Sequence, residues 1–405
     1  MKKITDIIKR ALIGMLCLSA VALVACSDTA STSTQTDVQS ADASAPIETN
    51  AQTEEPKEEG DGVVTVIAAG DNLVHESVYK DAAARARRVT VPTKGYYFDS
   101  MYDPIKDIVQ AADLAIINQE SQICGEGYKA SGYPSFCTPV DMGTALMNVG
   151  FNAIITANNH MLDMGDEGLL GTVNYWKDKP VIQVGIDLSE EEGDDIAVFE
   201  QEGIKIALLA YTDVLNISAS SSDYAGYTYY NFRTASRQVE KAKQVADIVI
   251  VSIHWGEENT FELTSSQKDI ANQLARLGVD VILGHHPHVV QSVEWIQANN
   301  GNKSLCVYSL GNFLSNMSGS YNTVGMMLQF DVVKNDSGVS IQDVQVIPTI
   351  TYYTTSRSGY CVYPLKKFSK RLAVTHGCNA PVSYDAFCSY ITDNISEEFL
   401  TDYLK

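Results

Sequence analysis

Five apolar runs in this chain each stop at a string of polar, metal-capable side chains, and that pattern restricts the fold more than any other feature. The strings are Gly70-Asp71-Asn72, Asn118-Gln119-Glu120, Asn158-Asn159-His160 with Asp163 and Gly165, His254-Trp255-Gly256-Glu257, and Gly284-His285-His286-Pro287-His288. In an α/β sheet the carboxyl ends of the strands share one edge, where ligands bind, so such strings converge on one site. The runs themselves predict strands over 63–69, 114–117, 153–155, 181–184, 204–211, 248–253, 279–283 and 305–309. Between them, 235–246 and 265–277 carry apolar residues at helical spacing, and Gly278 supplies a helix stop. The alternation predicts an α/β fold. Segments 324–333 and 344–350 have no helix between them and predict an antiparallel pair completing a layered sheet structure.

Histidine placement sharpens the inference. Six of the seven histidines (His75, His160, His254, His285, His286 and His288) lie in or beside those strings, and only His376 lies elsewhere. Carboxylate, amide oxygen and several imidazoles form a hard-to-borderline donor set suited to Zn²⁺, Mn²⁺ or Fe. Taken singly, each string has a plainer explanation. Asp71 fits a helix N-cap, His160 a core histidine, and Glu120 the partner of a buried arginine. Together they place more charge in one spot than a core accommodates without partners.

The formal net charge of −21 argues against nucleic acid as a partner. Part of that charge sits outside any expected core. Residues 1–25 read as an export signal, with Lys2, Lys3, Lys9 and Arg10 ahead of an apolar run too short for a comfortable membrane span. The run ends in Leu23-Val24-Ala25-Cys26, which matches a bacterial lipobox and makes Cys26 the expected lipid attachment point. Residues 26–61 are rich in Ser, Thr, Asp and Glu and predict a flexible tether. Six cysteines remain for a disulfide-permissive compartment. Cys124 and Cys137, flanking a polar glycine-containing loop, are the first candidate pair; Cys361 with Cys378 is a second.

The strings, with Met161-Leu162-Asp163-Met164-Gly165 and Tyr308-Ser309-Leu310-Gly311-Asn312-Phe313, occur in the order seen in the CapA family of bacterial capsule and poly-γ-glutamate synthesis proteins, which this chain resembles over about residues 64–313. The resemblance implies a calcineurin-like metallophosphoesterase fold over 62–355, a four-layered α/β/β/α sandwich, with a C-terminal appendage over 356–405. It implies Asp71, Glu120, Asn159, His254, His286 and His288 as metal ligands, with His285 an alternative for one of the last pair. His160 resembles the catalytic histidine and Asp163 its orienting partner. Two departures bear on metal count: Leu73 stands where general phosphoesterases have histidine, and Glu120 where they have aspartate. One ion or two therefore remain as alternatives.

The resemblance further implies a metal-dependent hydrolase-like protein acting on an anionic polymer such as capsule or poly-γ-glutamate, and the lipobox places it, lipid-anchored, on the extracytoplasmic face of the cell membrane. The alternative is a non-catalytic accessory subunit that binds polymer or supports membrane synthase subunits. Lys80, Arg85, Arg87, Arg88 and Lys94 supply positive charge for such a substrate, or else form a solvated helix face.

Overall fold

The computed structural model describes residues 62–379 and 383–400. The expected leader, the tether and Cys26 lie outside them. The strands in the first half are β1 (Gly62–Asn72), β2 (Leu114–Asn118), β3 (Ala153–Ile155), β4 (Ile182–Val184), β5 (Ala197–Gln201), β6 (Ile204–Thr212) and β7 (Ile248–His254). Those that follow are β8 (Val281–His285), β9 (Val293–Gln297), β10 (Lys303–Val307), β11 (Asn312–Leu314), β12 (Val324–Asn335), β13 (Gly338–Tyr352) and β14 (Cys361–Pro364). They form two sheets, one ordered β14-β13-β12-β1-β2-β3-β4 with β11 also paired to β1, the other β5-β6-β7-β8-β10-β9.

The period-2 alternation of β1 shows why the sheets face each other. Val64, Val66 and Ala68 point into a core shared with Ile206, Leu208, Ile250 and Leu283 of the second sheet. Ile67 and Ala69 point the other way, under Val78, Ala82, Met142 and Leu146 from the helices Glu76–Ala86 and Asp141–Val149. The second sheet is covered likewise, Val249, Val251 and Ile253 packing on Ala235, Val239 and Leu274 of the helices Phe232–Val245 and Ser265–Leu277. The layers are therefore α/β/β/α. Thr264 and Gln267 form a reciprocal capping box at the start of Ser265–Leu277, and Gly278 ends it at φ 92°.

The end of the chain packs onto the sandwich. β14 pairs with β13 as the edge strand of the first sheet, and Phe387, Ile391 and Phe399 are buried in the core between the sheets. Glu397–Phe399 is a single 3₁₀ turn, and 401–405 lie outside the described residues. No described helix is long and apolar enough to cross a membrane.

Parallel pairing of β1 with β2, and of β6, β7 and β8 with one another, brings the polar strings to one edge. One close approach fixes the first of them: the Asp71 N–H donates to the Gly311 carbonyl at 2.9 Å where β1 meets β11. A β-carbon on Gly70 would lie 2.0 Å from that carbonyl oxygen. Gly70→Ala is expected to lower stability by about 2–3 kcal/mol through overpacking, measured by denaturant unfolding. A change within about 0.5 kcal/mol would mean that this junction spreads freely.

Candidate metal centre

Asp71, at the last turn of β1, is fully buried and accepts four hydrogen bonds. Its Oδ1 receives Asn118 Nδ2 at 2.8 Å and faces His285 Nδ1 at 3.0 Å. Its Oδ2 receives the His286 N–H at 3.3 Å and faces His288 Nδ1 at 3.1 Å. Burial pushes the carboxyl pKa up, but the hydrogen bonds and charges of His285 and His288 outweigh it and hold Asp71 well below the usual range. With both Nδ1 atoms turned to Asp71, the Nε2 atom of His288 is directed to Glu120, 3.5 Å from Oε1.

Glu120 follows β2 and is also fully buried, yet neither carboxylate oxygen has a hydrogen-bond partner among the described residues. Burial drives its pKa well above the usual range; His288 opposes this, while the negative charges of Asp71 and Glu258 reinforce it. His254 Nε2 approaches Glu120 Oε1 at 3.8 Å and Asn159 Oδ1 at 3.0 Å. The Nδ1 atoms of His254 and His286 are likewise buried without a partner.

Uncompensated polar atoms of this number in a dry interior are costly, and a cation ligated by them removes the cost. The donor set fits a divalent metal on these grounds. Three overlapping groups have ligand atoms within 4.8 Å of one another: Asp71 with Glu120 and His288, Glu120 with His254 and His286, and Glu258 with His286 and His288. Glu120 belongs to two of them, as a bridging acid does.

All six expected ligands meet at this edge, with Asn159 joining through its contact to His254. His285 contacts Asp71 without entering any of the three groups, whereas His286 and His288 each enter two. The expectation from the motifs missed Glu258, the next residue after the named Glu257, whose exposed carboxylate reaches His286 and His288. The only signal for it was the acidic pair after Gly256. Leu73 is buried and contributes its carbonyl oxygen to His75 rather than a ligand.

His160 is held beside the ligands. Its Nδ1 lies 2.8 Å from Asp163 Oδ2, which also accepts the Phe136 N–H at 2.7 Å, and the Phe136 ring meets the imidazole edge-on at 4.7 Å. A carboxylate at Nδ1 favours the tautomer with the proton there and leaves Nε2 free. Asn216, invisible as a site residue in the sequence, lies 3.2 Å from His160 Nδ1 and 3.3 Å from Asn159 Nδ2.

The loop carrying Phe136 returns on itself through pairing of Ser131 with Cys137. Cys124 and Cys137 are both buried there and unbonded, where their spacing predicts a disulfide. Cys361 and Cys378 are also unbonded. Asn312 steadies the histidine string from below, its Nδ2 donating to the His288 carbonyl at 3.3 Å and to that of Asn322 at 2.9 Å. This accounts for the Tyr308–Phe313 motif as support for the loop in which His286 and His288 adopt φ 98° and 57°.

An α/β/β/α sandwich with clustered carboxylates and imidazoles at its strand ends is the arrangement of a metallophosphoesterase-like protein. The chain belongs to the bacterial capsule synthesis protein PGA_cap family, whose model matches residues 65–317. It is 30% identical to the capsule biosynthesis protein CapA of Bacillus anthracis over 49% of this chain and 48% of that one. It is 27% identical to the PGA biosynthesis protein CapA of Bacillus subtilis (strain 168), over 71% of this chain and 73% of the relative. A probable polyglutamine synthesis accessory protein of Mycobacterium tuberculosis is 26% identical, over 45% of this chain and 52% of its own. The match thus spans about half of the B. anthracis and M. tuberculosis relatives.

Elemental analysis tests the centre directly. The full chain is expected to retain Zn, Mn or Fe through dialysis, and a His286→Ala, His288→Ala double variant to lose it while keeping its far-UV circular dichroism. Glu258→Gln is expected to lower metal occupancy without abolishing it. A double variant that holds as much metal as the wild type would rule these residues out as ligands.

Proposed function

We propose that the protein is a surface lipoprotein of capsule or poly-γ-glutamate synthesis or export, anchored through Cys26, with a metal-dependent hydrolase-like site that acts on an anionic polymer. The observation that carries this reading is the pairing of the donor cluster at Asp71, Glu120, His254, His286 and His288 with an adjacent His160 already oriented by Asp163. The names of the B. subtilis and M. tuberculosis relatives support the polymer.

A cation held by these residues supplies Lewis-acid polarisation of a phosphoryl or carbonyl oxygen. The chain's own residues do the remainder. Asp163 fixes the ring of His160 at Nδ1, so that Nε2 is left to take a proton from the attacking water and hand it to a departing oxygen or nitrogen. Phe136 packs edge-on against that ring and helps to bury it. Asn159, turned to His254, holds the loop that carries His160 against the cluster.

A second reading, a non-catalytic accessory subunit that binds polymer or supports a membrane synthase, is favoured by Leu73 in the position of a ligand histidine. His160→Ala separates the two. If His160 is the proton donor, polymer processing or release falls about 100-fold or more while metal content is unchanged. Undiminished polymer output from cells carrying His160→Ala would sink the hydrolase reading and leave the accessory one.

A further inference from the structure

An anionic substrate needs a cation not already committed to a carboxylate. The basic residues that follow the first motif are largely spent. Lys80 pairs with Glu76 at 2.8 Å and Lys94 with Glu126 at 3.3 Å. Arg85 pairs with Asp81 at 2.9 Å and donates to Ser100 and to the Tyr360 carbonyl. Arg87 and Arg88 stand exposed just beyond the end of that helix, the solvated alternative.

Arg357, in the region whose sequence carried no legible chemistry, is placed differently. Its partners are neutral: the Asn316 carbonyl and side-chain oxygens at 3.3 and 2.9 Å, and the face of Tyr353, with the guanidinium carbon 4.7 Å from the ring centroid. Among the described residues it has no carboxylate within ion-pairing distance, so its charge is unspent. Its backbone sits at φ 54°, in the left-handed region that a residue with a β-carbon enters only at a cost. The turn that imposes this is closed by Arg357 N–H to the Thr354 carbonyl and Thr354 N–H to the Ser358 carbonyl.

From Arg357 a chain of contacts leads to the site. Asn316, which it grips, donates its N–H to His75 Nδ1 at 3.2 Å. The His75 ring meets Phe136 edge-on at 5.3 Å, and the opposite contact of Phe136 is His160. His75 lies within electrostatic range of His288, His160 and Arg357 together, whose charges add to the depression that burial causes in its pKa.

We propose that Arg357 is a substrate-positioning residue that binds an oxyanion of the polymer beside His160. Resting on the polymer-acting reading above, this assigns the ligand chemistry: a carboxylate of a γ-glutamyl chain or a phosphate, each matched by the planar donor fork of a guanidinium. Tyr353 and Asn316 hold that fork in place before the anion arrives.

The test uses the metal-loaded full chain in mild detergent, titrated calorimetrically with a short γ-linked glutamate oligomer and, separately, with inorganic phosphate. Arg357→Gly suits the left-handed backbone and removes the charge; Arg357→Lys keeps the charge and loses the fork; Arg357→Gln replaces the glycine variant should that one unfold. The wild type is expected to bind one of the two probes, more weakly as salt rises, and the probe bound identifies the source of the oxyanion. Arg357→Gly is expected to bind it about tenfold more weakly and with a shallower salt dependence, Arg357→Lys falling between, all with unchanged metal content. Equal binding by wild type and Arg357→Gly would overturn the role of Arg357 and leave the polymer reading standing. A wild type that holds metal but binds neither probe would overturn both.

Discussion

One buried carboxylate organises the strand-end edge. Asp71 belongs to the first sheet, while the histidines that surround it follow β8 of the second. An anion taken out of water in this way must be met by donors on every side, or its burial costs more than the fold can offset. Four donors meet it, from Asn118, His285, His286 and His288. The contact therefore fixes the spacing of the two sheets at this edge and turns the His288 ring so that its other nitrogen faces Glu120. Gly70 and Gly311 serve the same end, since their close approach lets the chain deliver Asp71 without a side chain in the way.

The fold was largely legible because its signals are local and periodic. Strand ends coincide with the polar strings, and the alternation in β1 separates the inter-sheet core from the helix-covered face without reference to any partner. The convergence of the six expected ligands was legible for a related reason: a string of polar residues after a buried strand has few places to go other than the common edge. His285 and Glu258 mark where this reasoning stops. Three histidines in four residues cannot be sorted by spacing alone, because their orientations depend on left-handed backbone at His286 and His288, which is unusual outside glycine. Glu258 differs from Glu257 by one step in a loop, and loops have no period to say which side chain turns inward.

Long-range pairing accounts for the remaining differences. β14 is short, and nothing in its four residues says that it completes a sheet begun near the start of the domain. The burial of Phe387 and Ile391 between the sheets makes the C-terminal segment part of the core, although its sequence reads as an addition. The cysteines show the converse. Spacing brought Cys124 and Cys137 together correctly as neighbours, but neighbourhood does not determine the redox state of two thiols.

The hydrogen bonds from His285 and His288 to Asp71 join residues 214 and 217 positions apart. Contacts that span so much of the chain need both sheets in place before the cluster is complete. A metal held by that cluster would then be taken up with folding rather than before it. A chain that crosses a membrane unfolded would accordingly select its metal from the compartment where it folds, and the ion it carries would record that location more than the relative affinities of the site.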